Sequence, residues 1–235
     1  MKAYEPDLQI VVAFRKLPKS VWSLPTKGTI NLHASLLPDY RGAAPINWAI
    51  INGETKTGVT TFYINDQLDT GLIIYQESVE IKENELAGEL HDKLSEVGGD
   101  LVLKTAEVIQ KGQPSLKEQT QISNPKKAPK INKADCRIDW HDIVDNVHNF
   151  IRGLSPFPGA WTTWQGTNIK IFRTEKENNQ VIEQPGTLLP LKSQLKVAAK
   201  DGCINILELQ PEGSRKMDSG SFLNGFSIPA GSRFE

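Results

Sequence analysis

The sequence predicts an α/β layer fold joined to a second, smaller and mostly β domain built as a small barrel or sandwich. Three observations predict it. Strand-like and helix-like apolar patterns alternate through the first half of the chain. Short strands punctuated by turns fill the second half. A stretch rich in lysine and proline lies between the two.

The elements follow in order. Leu8 to Phe14, LQIVVAF, is a nearly unbroken apolar run, as a parallel strand covered on both faces requires. Thr29 to Ala34 reads as the next strand, Ala43 to Asn52 as a helix ended near Gly53, Gly58 to Asn65 as a strand, and Gly71 to Ile81 as extended structure. From Glu83 to Lys111 the residues Leu86, Leu90, Leu94, Leu101, Val102, Ala106 and Ile109 fall near helical spacing, with Gly112 as a stop. Ser123 to Lys133 holds Pro125, Pro129 and four lysines: the prolines resist helix and the like charges resist collapse. Residues 126–133 are therefore read as a linker between a domain at 1–125 and one at 134–235. The second domain opens with a helix, His141 to Arg152, in which Ile143, Val147, Phe150 and Ile151 share a face. Five short strands follow at Ala160 to Trp164, Asn168 to Arg173, Gly186 to Leu189, Leu195 to Ala199 and Cys203 to Leu209. Trp161 and Trp164 point to opposite sides of their strand, so at least one belongs to the core.

Composition narrows the function. The 235 residues are 38% apolar and 23% charged, which excludes a disordered chain. A net charge of −1 supplies no global field for nucleic acid or membrane. The charge is uneven, however: residues 1–125 carry 12 basic and 16 acidic side chains, residues 126–235 carry 15 and 12. Two cysteines, Cys136 and Cys203, are too few for a disulfide scaffold or a cysteine zinc site. No apolar stretch reaches the roughly 18 residues of a membrane helix, so the expectation is a cytoplasmic protein with no membrane partner. His33, His91, His141 and His148 are scattered, and no metal is expected. An apolar strand this near the start calls for neighbours to cover its edge and faces, and the sequence is expected to be the latter part of a longer protein.

The informative stretch is Thr29-Ile-Asn-Leu-His-Ala-Ser-Leu-Leu-Pro-Asp-Tyr-Arg-Gly42, followed by Leu68-Asp-Thr-Gly71. On a strand, Asn31 and His33 project to one side while Ile30 and Leu32 go to the other. Two polar groups thus converge near the strand's carboxyl end, where open α/β sheets place their ligands. Asp69 follows the next strand, and a parallel arrangement would bring it beside His33. An amide, an imidazole and a carboxylate suit acyl or formyl transfer to an amine: Asn31 and a protonated His33 stabilise the tetrahedral oxyanion, while Asp69 supports His33 and, through a water, takes the proton the amine loses. Each piece has a plainer reading. A single Asn-x-His on a strand is usually structural, and Asp-Thr-Gly is more often a turn. Asp-Thr-Gly also occurs in aspartic proteases, but no second copy supplies the partner carboxylate. Ser35 lacks the Gly-x-Ser-x-Gly elbow of a hydrolase nucleophile, and Arg41 is read as a loop anchor.

The string from Asn31 to Pro45, with Gly58-Val59-Thr60 and Leu68-Asp-Thr-Gly71 at this distance, resembles the formyltetrahydrofolate-dependent formyltransferase family. The wording Tyr40-Arg-Gly-Ala-Ala-Pro45 is most similar to the branch whose acceptor is initiator methionyl-tRNA. The resemblance implies a partial Rossmann-like domain with 10-formyltetrahydrofolate as co-substrate and Asn31, His33 and Asp69 as the catalytic group. It further implies folate contacts from Ser35, Leu36, Leu37 and Pro38, and from main-chain groups of Arg15, Lys16 and Leu17, although Arg15 and Lys16 also read simply as a solvated turn. Arg137-Ile-Asp-Trp140, Arg152 to Trp161 and the ending from Phe222 to Phe234 look like the family's accessory domain, an oligonucleotide-binding-type (OB-like) barrel implicated in holding tRNA. The implied activity is formyl transfer to the methionyl amine for translation initiation, in a monomer. The sugar-nucleotide formyltransferases share the Asn, His and Asp, so the three residues alone do not choose the acceptor; the competing reading is a catalytically silent fragment that retains only folate or RNA binding.

Overall fold

A computed structural model describes residues 5–12, 16–177 and 182–235. The chain divides into two compact units: residues 1–48, 55–81 and 90–130 form the first, and 49–54, 82–89 and 131–235 the second.

In chain order, the first part contains β1 (Gln9–Val12), α1 (Lys19–Trp22), β2 (Thr29–His33), β3 (Arg41–Gly42), α2 (Pro45–Ile51), β4 (Lys56–Tyr63), β5 (Ile73–Glu80), the long helix α3 (Ala87–Gln110) and β6 (Lys127–Ala128). Its main sheet has the order β1-β2-β4-β5. β1 runs parallel to β2, as expected, but it is not covered on both faces: Val11 is buried while Ile10 and Val12 are exposed, and Ala13 and Phe14 lie outside the described residues. β2–β4 and β4–β5 are antiparallel. The expected parallel approach of the Asp69 turn to His33 is thereby corrected.

The β2–β4 register sorts the side chains by face, because residues directly opposite on paired strands project to the same side. Ile30 lies opposite Tyr63 and Leu32 opposite Thr61. This face meets α3: Ile30 packs in a cluster with Ile109, Thr61 hydrogen-bonds Thr105 at 2.8 Å, and Leu32 lies so close to Gly98 that an added Cβ would come within 2.8 Å of its Cδ2. Asn31 lies opposite Phe62 and His33 opposite Thr60, so the other face carries the polar pair.

The second part contains a 3-10 turn at Lys133–Cys136, α4 (Val144–Gly153), β7 (Ala160–Trp164), β8 (Thr167–Glu177), β9 (Leu188–Leu191), β10 (Gln194–Ala198), β11 (Cys203–Pro211), β12 (Met217–Asp218) and α5 (Ser219–Gly225). Its antiparallel sheet has the order β7-β8-β11-β10-β9, with β12 on β11. The chain's last residues join the outer strands. Glu235 exchanges main-chain hydrogen bonds with Thr163 of β7, while Leu188 N–H donates to Ser232 O and Phe234 N–H to Gly186 O beside β9. These bonds cover part of each outer edge, as the wall of a small barrel does. Inside it lie Ile151, Leu154, Ile169, Ile171, Leu195, Ile204, Ile206 and Phe222, all essentially inaccessible. Trp164 is 7% exposed and part of this core, whereas Trp161 is half-buried and donates its indole N–H to Lys133 O. Cys136 and Cys203 are buried free thiols, and burial pushes both above the ordinary thiol range. Among the described residues no helix is long and apolar enough to cross a membrane.

Candidate active site

The site is built on the face of β2 turned away from α3. His33 is held by the loop that follows its strand: its Nε2 lies 2.8 Å from the carbonyl oxygen of Tyr40. A carbonyl only accepts, so Nε2 carries the hydrogen and Nδ1 is left as the nitrogen that gains or loses a proton. Nδ1 faces Asp69, whose Oδ2 is 3.9 Å away. The two side chains are 8% and 10% exposed, so their interaction is only weakly screened by solvent. Asp69 Oδ2 also accepts the Gly42 N–H at 3.0 Å, which fixes the carboxylate against rotation.

Two residues beside these groups adopt left-handed backbone, Tyr40 with φ 59° and Asp69 with φ 54°. Such conformations cost of order 1–3 kcal/mol each for residues other than glycine and persist where the surroundings enforce them. At Tyr40 the fold turns a carbonyl toward His33. At Asp69 it turns a carboxylate toward the same ring, from a loop between antiparallel strands that is tied by Asn65 Oδ1 accepting from Gln67 N–H and from Thr70 Oγ. Gly71 has no room for a side chain: a Cβ there would sit 1.6 Å from Tyr63 O.

The loop after β2 is fastened through Thr60. Its hydroxyl donates to Ser35 O at 2.6 Å and accepts from Leu37 N–H at 3.2 Å and from Gln76 Nε2 at 3.1 Å, while Gln76 also donates to Leu37 O. One donor and two acceptor positions exhaust what a hydroxyl offers. Ser35 is buried with its Oγ donating to Asp39 O, and Leu37 packs with Phe62 and Ile73, so these two side chains point into the protein; Leu36 and Pro38 are half-exposed beside them. Lys16 is exposed and Leu17 half-exposed ahead of α1, and Arg15 lies outside the described residues.

Residues 126–130, within the stretch read as a linker, are a strap on the same loop. β6 pairs in parallel with β3, Tyr40 N–H donates to Lys126 O, Ala43 N–H to Ala128 O, Lys126 N–H to the Asp39 carboxylate, and Trp48 Nε1–H to Pro129 O. Gly42, at φ 132°, lies so near that a Cβ would meet Ala128 O at 2.2 Å.

The structure thus brings His33 and Asp69 together and keeps Asn31 on the same strand face, two residues away. It also supplies supporting residues that sequence reasoning passed over. Thr60 stood in a quoted string without a role, and Gln76 and Gln119 carried no local signal, because each acts on residues tens of positions away. Among the described residues no cluster of His, Cys, Asp and Glu is arranged to hold a metal.

Comparison with known proteins identifies the family. Residues 1–106 match the family described as formyl transferase, and residues 130–227 match the formyl transferase C-terminal domain. The methionyl-tRNA formyltransferase of Flavobacterium johnsoniae is 48% identical over 97% of this chain and 74% of its own length. Among solved structures, HypX from Aquifex aeolicus in complex with tetrahydrofolic acid has a TM-score of 0.75 at 24% identity over 97% of this chain; the chain spans only 40% of the length of HypX. WlaRD, a sugar 3N-formyl transferase, has a TM-score of 0.69 at 22% identity over 88% of this chain and 73% of its own. At such identities the two structures support the fold alone.

Proposed function

The chain belongs to the methionyl-tRNA formyltransferase family, and from that premise we propose that it transfers a formyl group from 10-formyltetrahydrofolate to the amino group of initiator methionyl-tRNA, for translation initiation in the cytoplasm, as a monomer. One observation carries the chemistry: a buried imidazole facing a fixed carboxylate at 3.9 Å, on the strand face that also bears Asn31.

In this reading the methionyl amine attacks the formyl carbon and the carbonyl electrons move onto oxygen. Asn31 donates its side-chain N–H to that oxyanion, and His33, protonated at Nδ1, adds a charged donor. The Tyr40 carbonyl keeps Nε2 occupied, so the ring presents one defined nitrogen to the reaction rather than two. Asp69 stabilises the imidazolium and, through a water, takes the proton the amine loses. Collapse of the intermediate breaks the bond to the folate nitrogen, which leaves with a proton. No covalent bond to the protein forms. The folate is placed against the loop of Ser35, Leu36, Leu37 and Pro38 and the main chain of Arg15, Lys16 and Leu17, with Leu36 and Pro38 offering the surface left free by the burial of Ser35 and Leu37. The domain at 134–235 is assigned to holding the tRNA, with Lys126, Lys127, Lys130 and Lys133 just ahead of it supplying the local excess of positive charge.

The test is formation of formylmethionyl-tRNA from this chain, 10-formyltetrahydrofolate and initiator methionyl-tRNA, with folate binding measured in parallel. Folate binding without transfer to the tRNA overturns the acceptor assignment. Loss of both overturns the one-carbon reading.

A further inference from the structure

We propose that Gln119 is a positioning residue for the formyl transfer, setting Asp69 and the Arg41–Gly42 turn as one unit; this rests on the role given to Asp69 above. Gln119 follows a two-residue bridge that fastens its segment to β5, in which Ile73 N–H donates to Lys117 O at 2.8 Å and Lys117 N–H to Ile73 O at 2.9 Å. From there its side chain reaches the Asp69 turn. Nε2 donates to Asp69 O and to Gly71 O, both at 2.9 Å, and Oε1 accepts from Arg41 Nε at 3.1 Å and from Arg41 Nη2.

The partners dictate which end of the amide points where. A guanidinium only donates and a carbonyl only accepts, so Oε1 must face Arg41 and Nε2 the two carbonyls. Glutamate matches the shape but places a carboxylate oxygen against Asp69 O and Gly71 O, and lysine cannot accept from Arg41. An amide of this length fits both sides. The bonds close a ring of contacts: Gln119 grips the main chain of Asp69 and the side chain of Arg41, while the next residue, Gly42, donates its N–H to Asp69 Oδ2. Asp69 is thus held at its main chain by Gln119 and at its carboxylate by Gly42. The left-handed conformation of Asp69 requires such an external grip.

The substitutions Gln119→Glu and Gln119→Ala test this in the full chain, with formyl-transfer kinetics and amide exchange of Gly42 as readouts. Displacing a reacting group by about an ångström costs up to on the order of a hundredfold. We therefore expect kcat to fall by about ten- to a hundredfold while KM for the folate and for the tRNA each stay within about twofold. Gly42 amide exchange should accelerate in both variants. An equal kcat, or a loss confined to KM, overturns the positioning role even if the fold is weakened. Should the parent chain itself show no transfer, the reaction assignment fails separately, and the grip on Asp69 is judged by Gly42 exchange alone: unchanged protection refutes it.

Discussion

Replacing Asp69 by asparagine tests the charge of the site with almost no change of shape. In the folded protein Oδ2 is 3.9 Å from His33 Nδ1, and both side chains are nearly buried. Two unit charges at that separation interact by about 4 kcal/mol at an effective dielectric constant of about 20, and this bounds what the carboxylate contributes to an imidazolium formed during the reaction. At about 1.4 kcal/mol per factor of ten, the ceiling is on the order of a thousandfold. Part of that is recovered because water and the Asn31 amide also meet the developing charges, so a loss of about two orders of magnitude in turnover is expected. An amide oxygen still accepts the Gly42 N–H, so the loop and the fold should survive. The assay is single-turnover formyl transfer with the folate saturating, beside thermal unfolding of both proteins. A rate within about threefold of the parent, at unchanged stability, refutes the electrostatic role of Asp69.

Further outcomes follow from the same contacts. Asn31→Ala removes an oxyanion donor and His33→Ala the imidazole; each should lower turnover by about two orders of magnitude with little change in the denaturation midpoint, and near-normal turnover of the His33 variant rejects its catalytic role. Gly42→Ala places a methyl group 2.2 Å from Ala128 O at a φ of 132°, so it should unfasten the 126–130 strap and expose a protease-sensitive segment there; a limited digest matching that of the parent would contradict this. His148, buried with Nδ1 on Thr174 Oγ, is pushed down to about 4, chiefly by desolvation and then by Arg152 and Lys176. A lowered folded value means that the unfolded chain binds the proton more readily, so stability is complete above about pH 6.5 and is lost as pH falls toward 4, by roughly 3 kcal/mol in all. Urea midpoints at pH 7 and pH 5 should therefore converge in His148→Gln, and an undiminished pH dependence would remove His148 as the cause.

Much of the architecture was legible because periodicity is local. The apolar run at Leu8, the helical spacing from Leu86 to Ile109, and the turn-punctuated strands after Ala160 each appear where the pattern places them. The pairing of directions was not legible. Nothing in Gly58 to Asn65 distinguishes a strand parallel to β2 from one antiparallel to it, since both bury the same residues, and here β4 is antiparallel. The stretch from Ser123 to Lys133 shows the same limit. Its prolines and lysines signal extended, solvated chain, and extended chain equally serves as an edge strap, which is what Lys127 and Ala128 become.

The sequence by itself determined that Asn31 and His33 share a strand face, because alternation along a strand is a property of covalent geometry. It also carried, in its motif wording, the kinship to the formyltransferases. Tertiary structure alone decided that Asp69 reaches His33 from a loop between antiparallel strands, that the Tyr40 carbonyl engages Nε2 of its ring and leaves Nδ1 facing Asp69, and that Gln119 grips the turn from fifty residues away. The physical reason is that hydrogen bonds between distant residues depend on how whole elements pack, and no periodicity along the chain encodes which partner a given donor will meet.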